Sequence, residues 1–268
     1  MYLVFDIGGS KTRLAISKDG KTLGEVKVIP TAQNFDIAIV ELQQAVMELT
    51  GGEDIKRVAG GIAGSLSADK STIHRAPHLP GWVGKKIKSS LEGVFGCDVL
   101  IENDASMGAL GEATYGAGKD EKIVVYLTVS TGVGGARIVN GKIDQSALGF
   151  EPGHHYIDGN NTLEDLISGT AVEAKYGCKP KEINDSTVWD DLAHKLAIGL
   201  YNVSTFWSPN MIVVGGSMMN EIGIPINNAT EYMRALPEVQ LAWPKIQHAQ
   251  LGDSCGLYGA LARLQQEL

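Results

Sequence analysis

Asn103 and Asp104 are the two residues of this chain whose types and setting most readily suggest chemistry. The run Cys97-Asp98-Val99-Leu100-Ile101 is short and β-branched, which reads as a buried strand. It ends in Glu102-Asn103-Asp104, and small or apolar residues then recur at helical spacing (Ala105, Ala109, Leu110, Ala113). The pair therefore stands where a strand hands over to a helix, the edge at which open α/β sheets bind ligands. A carboxylate there can take a proton from a bound hydroxyl. Asn and Asp are also favoured helix N-caps, and most such pairs do no more than cap.

Other stretches offer ligand contacts. Asp6-Ile7-Gly8-Gly9-Ser10-Lys11-Thr12 separates two apolar strands. Its amides, hydroxyls and Lys11 could cradle phosphate oxygens. Because a strand follows it, it is neither a Walker A loop nor a Rossmann turn, both of which open a helix. A plain tight hairpin explains it equally well, except for Asp6. Thr128 to Gly135 repeats the arrangement, and Asn140-Gly141-Lys142 then answers Asp19-Gly20-Lys21. Internal repetition outranks local detail, and here it implies two similar α/β halves with one Gly/Thr hairpin each. Polar residues cluster over Phe150 to Asp158, and the apolar strand Met211 to Val214 ends in Gly215-Gly216-Ser217.

The elements that must position these groups follow from periodicity. Strands are predicted over Tyr2–Phe5, Arg13–Ser17 and Thr22–Val28. An amphipathic helix covers Asp36–Leu49, and a strand covers Arg57–Ile62. Residues 66 to 84 read as an irregular excursion, followed by a short basic helix over Lys85–Leu91. In the second half, Ile123–Leu127 and Ala136–Val139 are strands. Thr162 opens a helix with a capping-box-like sequence, and a long helix from Trp189 to Phe206 stops at Pro209. Leu257–Leu264 closes the chain as a helix.

Hydrophobic content of 44% with 20% charged residues is the mix of a soluble globular protein with ample core. Net charge of −8 gives nucleic-acid binding no electrostatic support, and no apolar run is long enough to span a bilayer. No signal peptide is visible. The three scattered cysteines argue for a reducing, cytoplasmic setting and against a disulfide or zinc frame.

With these residues in hand, the chain resembles the ROK family of sugar kinases and repressors, within the actin-like ATPase superfamily. The resemblance runs nearly end to end. The first loop looks like the family's first phosphate loop, and Ser130-Thr131-Gly132-Val133-Gly134-Gly135 like its second. Glu102-Asn103-Asp104-Ala105 with Ala109-Leu110-Gly111-Glu112 is similar to the catalytic segment. Glu151-Pro152-Gly153-His154 matches the sugar-binding motif E-x-G-H, Leu163-Glu164 its downstream glutamate, and Pro209 with Ile212–Ser217 the adenosine segment. The resemblance implies two actin-like (ribonuclease H-like) α/β domains around a central cleft: 1–115, completed by the C-terminal helix 256–268, and 116–255. It also implies a homodimer.

The implied activity is ATP-dependent phosphorylation of a hexose hydroxyl, with glucose the leading acceptor. Fructose, mannose or an N-acylated hexosamine is the alternative, and a non-catalytic sugar sensor the alternative of another class. Asp104 would be the general base, and Gly64, Asn103, Glu151, His154 and Glu164 would bind sugar. Asp6, Gly8, Gly9, Ser10, Lys11, Thr12, Thr131, Gly132, Gly134, Gly215 and Gly216 would bind ATP, with Asp6 holding Mg²⁺ through water. Two departures stand out. Most relatives carry a cysteine-rich zinc motif after the E-x-G-H histidine, whereas residues 155 to 163 are short and lack cysteine, so no zinc is expected. His78 lies where many relatives place an Asn. The chain starts at the phosphate-loop strand, so no winged helix is expected, and the two halves should close on the sugar.

Overall fold

The structure is a computed structural model and describes residues 1–237 and 242–268. The chain divides into two compact units, one of 1–114, 145–149 and 253–268, the other of 115–144 and 150–252.

In the first unit β1 (Tyr2–Ile7), β2 (Lys11–Ser17) and β3 (Val26–Pro30) form an antiparallel meander. The third strand starts at Val26 rather than the expected Thr22. Asp19 accepts hydrogen bonds from the Lys21 and Thr22 amides, and Gly24 N donates to Ile16 O at 3.1 Å. These bonds curl the chain past Thr22 before the ladder can begin. Helix α1 (Phe35–Thr50) starts on Asn34, whose side chain accepts from two amides, and ends on Gly51 at φ +62°. β4 (Arg57–Ile62) runs parallel to β1.

The expected irregular excursion holds a small hairpin, β5 (Ser65–Leu66) and β6 (Ile73–Arg75). It also holds a single 3-10 turn that buries Trp82 edge-on against Phe35, with Trp82 Nε1 donating to Ala32 O. Helix α2 (Ile87–Phe95) begins two residues later than predicted, because the Lys85 carbonyl, which a helix from that point would turn to Ser89, accepts from Ile73 N. β7 (Val99–Asn103) then pairs with β4 in parallel and runs directly into α3 (Asp104–Tyr115).

The second unit repeats the plan. β8 (Ile123–Val129), β9 (Val133–Val139) and β10 (Lys142–Ile143) form an antiparallel meander. After α4 (Leu163–Ile167), α5 (Gly169–Tyr176) and α6 (Ser186–Trp207), β11 (Met211–Gly215) pairs with β8 in parallel. Helix α7 (Ile226–Arg234) and β12 (Lys245–His248) complete it. The two five-stranded sheets have one strand order, β3-β2-β1-β4-β7 and β10-β9-β8-β11-β12. The fold is thus α/β with one sheet plan in both units, as the repeat implied, and it is the actin-like plan that the resemblance implied.

Each sheet buries its own core. Leu192, Leu196 and Leu200 of α6 pack on Val125, Leu127, Ile212 and Val214. In the first unit Leu42 and Val46 of α1 pack with Leu3, Phe5 and Val58. The last helix, α8 (Cys255–Gln265), belongs to the first unit.

Candidate active site

Two constellations form, one in each unit. In the first unit Asp6 is the last residue but one of β1, opposite Arg13 of β2. Arg13 Nη2 donates to Asp253 Oδ2 at 2.6 Å, and Nη1 lies 3.9 Å from Asp6 Oδ2. The first turn of α8 presses on Asp6 so closely that a Cβ on Gly256 would come within 2.7 Å of its Cγ. Burial pushes the Asp6 pKa up to about 6, outweighing the lowering by Arg13, and the Asp253 charge adds to the rise.

The loop after Asp6 is closed by Gly8 N donating to Lys11 O at 2.9 Å. A Cβ on Gly9 would sit 2.5 Å from that of His78, so only glycine lets the excursion lie this close. Ser10 and Lys11 are exposed. Thr12 differs: it is buried, and its hydroxyl pairs with Thr31 Oγ1 at 2.9 Å.

At the end of β7, Asn103 Nδ2 donates to Gly64 O at 3.0 Å and its Oδ1 accepts from the Ser106 amide. Asn103 thus both caps α3 and grips Gly64. The backbone at Gly64 (φ +139°) passes so near Arg75 O that a Cβ would lie 2.4 Å from it. Asp104 Oδ1 accepts from the Ala105 amide at 2.9 Å. Desolvation by burial, then the charge of Asp6, push the Asp104 pKa up to about 7. A carboxyl tuned to that range accepts a proton near neutral pH far better than an ordinary aspartate, and such shifts cluster at functional sites.

Asp6 is a carboxyl that is costly to ionise, and a hard divalent cation beside it would relieve that penalty. Mg²⁺ needs only one or two protein carboxylates, so Asp6 fits it.

In the second unit the loop from Ser130 to Val133 is braced on several sides. Glu164 Oε2 accepts from the Val133 amide at 2.7 Å and lies against Gly132, where a Cβ would meet it at 2.6 Å. Gly169 N donates to Ser130 O at 2.7 Å, and Thr170 Oγ1 donates to Thr131 O at 2.8 Å. Gly153 packs on Val133 O, and Gly216 (φ +98°) packs on Val129 O. Gly215 lies against the Tyr126 hydroxyl and Ala249. Thr131 is exposed, and Gly132 and Gly134 are half-buried.

Glu151 and His154 are exposed on either side of buried Pro152-Gly153, in a single 3-10 turn. The segment that follows is ordered by hydrogen bonds. Asp158 Oδ1 accepts from the Asn160 and Asn161 amides, Ile157 N donates to Asn161 O, and a bridge joins Tyr156 to Thr162. Thr162 and Asp165 form the capping box of α4. Among the described residues, no group of three or more His, Cys, Asp or Glu side chains is arranged to hold a metal ion.

Arg13, Asp253 and Thr170 join these constellations without any signal in the sequence, since each acts through a partner distant in the chain. Glu164→Ala is expected to leave the Val133 amide unpaired and cost about 1.5–3 kcal/mol, the range for a charge-assisted hydrogen bond. Urea unfolding would measure the loss. Unchanged exchange protection at that amide would show that Glu164 does not brace the loop.

The chain is 28% identical over 307 residues to a glucokinase of Streptomyces coelicolor, covering 95% of this chain and 94% of that protein. It is 29% identical over 303 residues to an N-acetyl-D-glucosamine kinase of Salmonella schwarzengrund, covering 97% and 98%. The crystal structure of a ROK hexokinase from Thermus thermophilus superposes with a TM-score of 0.85 at 28% identity, over 99% of each chain. The model of the ROK family matches residues 2–267. With that match spanning nearly the whole sequence, and with both sheets built to the same plan, the chain belongs to the ROK family.

Proposed function

We propose that this protein is an ATP-dependent hexose kinase, with glucose as the leading acceptor. The observation that carries the proposal is Asp104, a carboxyl at a strand-to-helix junction with its pKa raised to about 7. Phosphoryl transfer asks for positioning and charge stabilisation, with a base for the attacking hydroxyl. Asp104 takes the hydroxyl proton. Asn103, locked by Gly64 and Ser106, presents a fixed amide to the sugar, and Gly64 offers its backbone. Glu151, His154 and Glu164 supply further hydroxyl contacts, Glu164 through the oxygen not committed to Val133.

The Gly8–Lys11 loop and the Thr131–Gly134 loop present amides and hydroxyls to phosphate oxygens, and Gly215-Gly216 allow close approach of the adenosine. Mg²⁺, held through Asp6, supplies neutralising charge to the transferring phosphate when bound. The kinase names of the two curated relatives support the class of reaction and differ on the sugar.

A coupled ADP-release assay over glucose, mannose, fructose, N-acetylglucosamine and N-acetylmannosamine tests the proposal. Turnover of one sugar above the others is expected. ADP release with none of them would reject the kinase reading and favour a sugar-sensing protein of the same fold.

A further inference from the structure

We propose that Lys70 is a positioning residue for the sugar acceptor, clamping the β5–β6 hairpin to the strand that delivers Asn103 and Asp104; this rests on the kinase reading above. Lys70 lies in the turn between β5 and β6 with φ +56°, a left-handed conformation that Gly or Asn adopts with less strain. The turn is tightly specified. Ser67 N donates to Thr72 O, Lys70 N donates to Ser67 O at 2.7 Å, and Ser67 Oγ accepts from the Ser71 and Thr72 amides. Nothing in those bonds needs a lysine. What needs one is Glu102, which is buried in β7 immediately before Asn103 and forms an ion pair with Lys70 Nζ.

Glu102 and Asn103 are successive residues of a strand, so their side chains leave it on opposite sides. Both grip the same excursion: Asn103 Nδ2 holds Gly64 O at its base, and Glu102 holds Lys70 at its tip. Among the described residues β7 is the edge strand of its sheet, with no further strand on this side. The excursion also carries Arg75, whose carbonyl packs on Gly64, and His78, which packs on Gly9. The strained lysine therefore acts at one remove on the backbone carbonyl and the amide assigned to the sugar. Strain of this kind persists where surrounding structure over-determines it, commonly beside functional sites. Without Lys70 the buried Glu102 carboxylate would lose its counter-charge, which favours the hairpin swinging outward to admit water.

The test uses Lys70→Gly, Lys70→Arg and Glu102→Gln in the full chain. Lys70→Gly removes the ammonium and relieves the left-handed strain, so misfolding of the turn does not confound it. The expected result is a rise in sugar KM of about tenfold, with kcat and ATP KM within about twofold of wild type, because only ground-state placement of the acceptor is weakened. Lys70→Arg should recover most of the loss, and Glu102→Gln should reproduce it. Amides of residues 64–75 should exchange about tenfold faster in Lys70→Gly, measured by hydrogen exchange with no sugar or ATP present. Unchanged exchange, or equal losses in kcat and in both KM values, would overturn the clamp. Should wild type phosphorylate no sugar, the kinase reading and the acceptor role fall together, and the exchange result alone decides whether Lys70 holds the segment.

Discussion

Asp104→Asn is expected to lower turnover by roughly 10²–10⁴-fold, the usual scale of a lost general base, while sugar binding persists and the protein becomes more stable. Both effects come from one cause. Burial and the neighbouring Asp6 raise the Asp104 pKa from 3.8 to about 7, so ionising it costs folding free energy. The folded state holds this proton more tightly than the unfolded chain does. The stability it contributes is therefore complete below the unfolded pKa of 3.8 and is lost as pH rises through about 7. At pH 8 the ionised group costs on the order of 1–3 kcal/mol, allowing for partial solvation, and the neutral amide removes that cost.

Urea unfolding of wild type and Asp104→Asn at pH 8 and at pH 4 should show a gap at the higher pH that closes at the lower. Asp6, raised to about 6, adds a pH dependence of the same sign in both proteins, and its repulsion of Asp104 is part of the gap. In wild type, kcat/KM for the sugar should climb through pH 7 as Asp104 ionises. Near-normal turnover in the variant would remove Asp104 from the mechanism. A variant of lowered stability at pH 8 would contradict the electrostatic account.

Gly259→Ala should be among the most destabilising single substitutions in the chain. Where α3 and α8 cross, a Cβ on Gly259 would lie 1.7 Å from Met107 O, and one on Gly111 would lie 2.2 Å from Cys255 O. Backbone atoms cannot step aside as side chains do, so the helices must separate. The expected loss is about 3 kcal/mol or more, at the upper end for overpacking. α3 starts at Asp104 and α8 presses its first turn on Asp6, so the same shift should disturb both carboxyls and depress kcat. Gly93 in α2 serves as the control. Nothing lies within 4 Å of its Cβ position, so Gly93→Ala should stabilise by about 0.5–1 kcal/mol through helix propensity alone. Equal urea midpoints for the two alanine variants would show that the crossing is looser than drawn.

Much of the architecture was open to reading because its signals are local. Short apolar runs at β1 and β8, the strands that follow each and the glycine-rich loops between them exposed the duplicated plan, which the two identical strand orders bear out. The long helix α6 ends where Pro209 forbids continuation, and the Thr162–Asp165 cap forms as its residues suggested. Local reading failed where a side chain outbid the expected element. Asp19 delays β3 by capturing two amides, and the hairpin β5–β6 is too short to show a period.

The sequence by itself determined the fold class, the family and the residue types available for chemistry, since each is carried by periodicity and by motifs a few residues long. Tertiary structure alone decided the chemistry's setting. Asp6 and Asp104 share a field because the sheet places β1 and β7 on either side of β4, and α8 returns to crowd Asp6. Glu164 meets the Val133 amide, Lys70 meets Glu102 and Gly259 meets Met107 only after the chain has folded back on itself. Desolvation, ion pairing and close packing depend on distance in space, and no spacing along a chain encodes them.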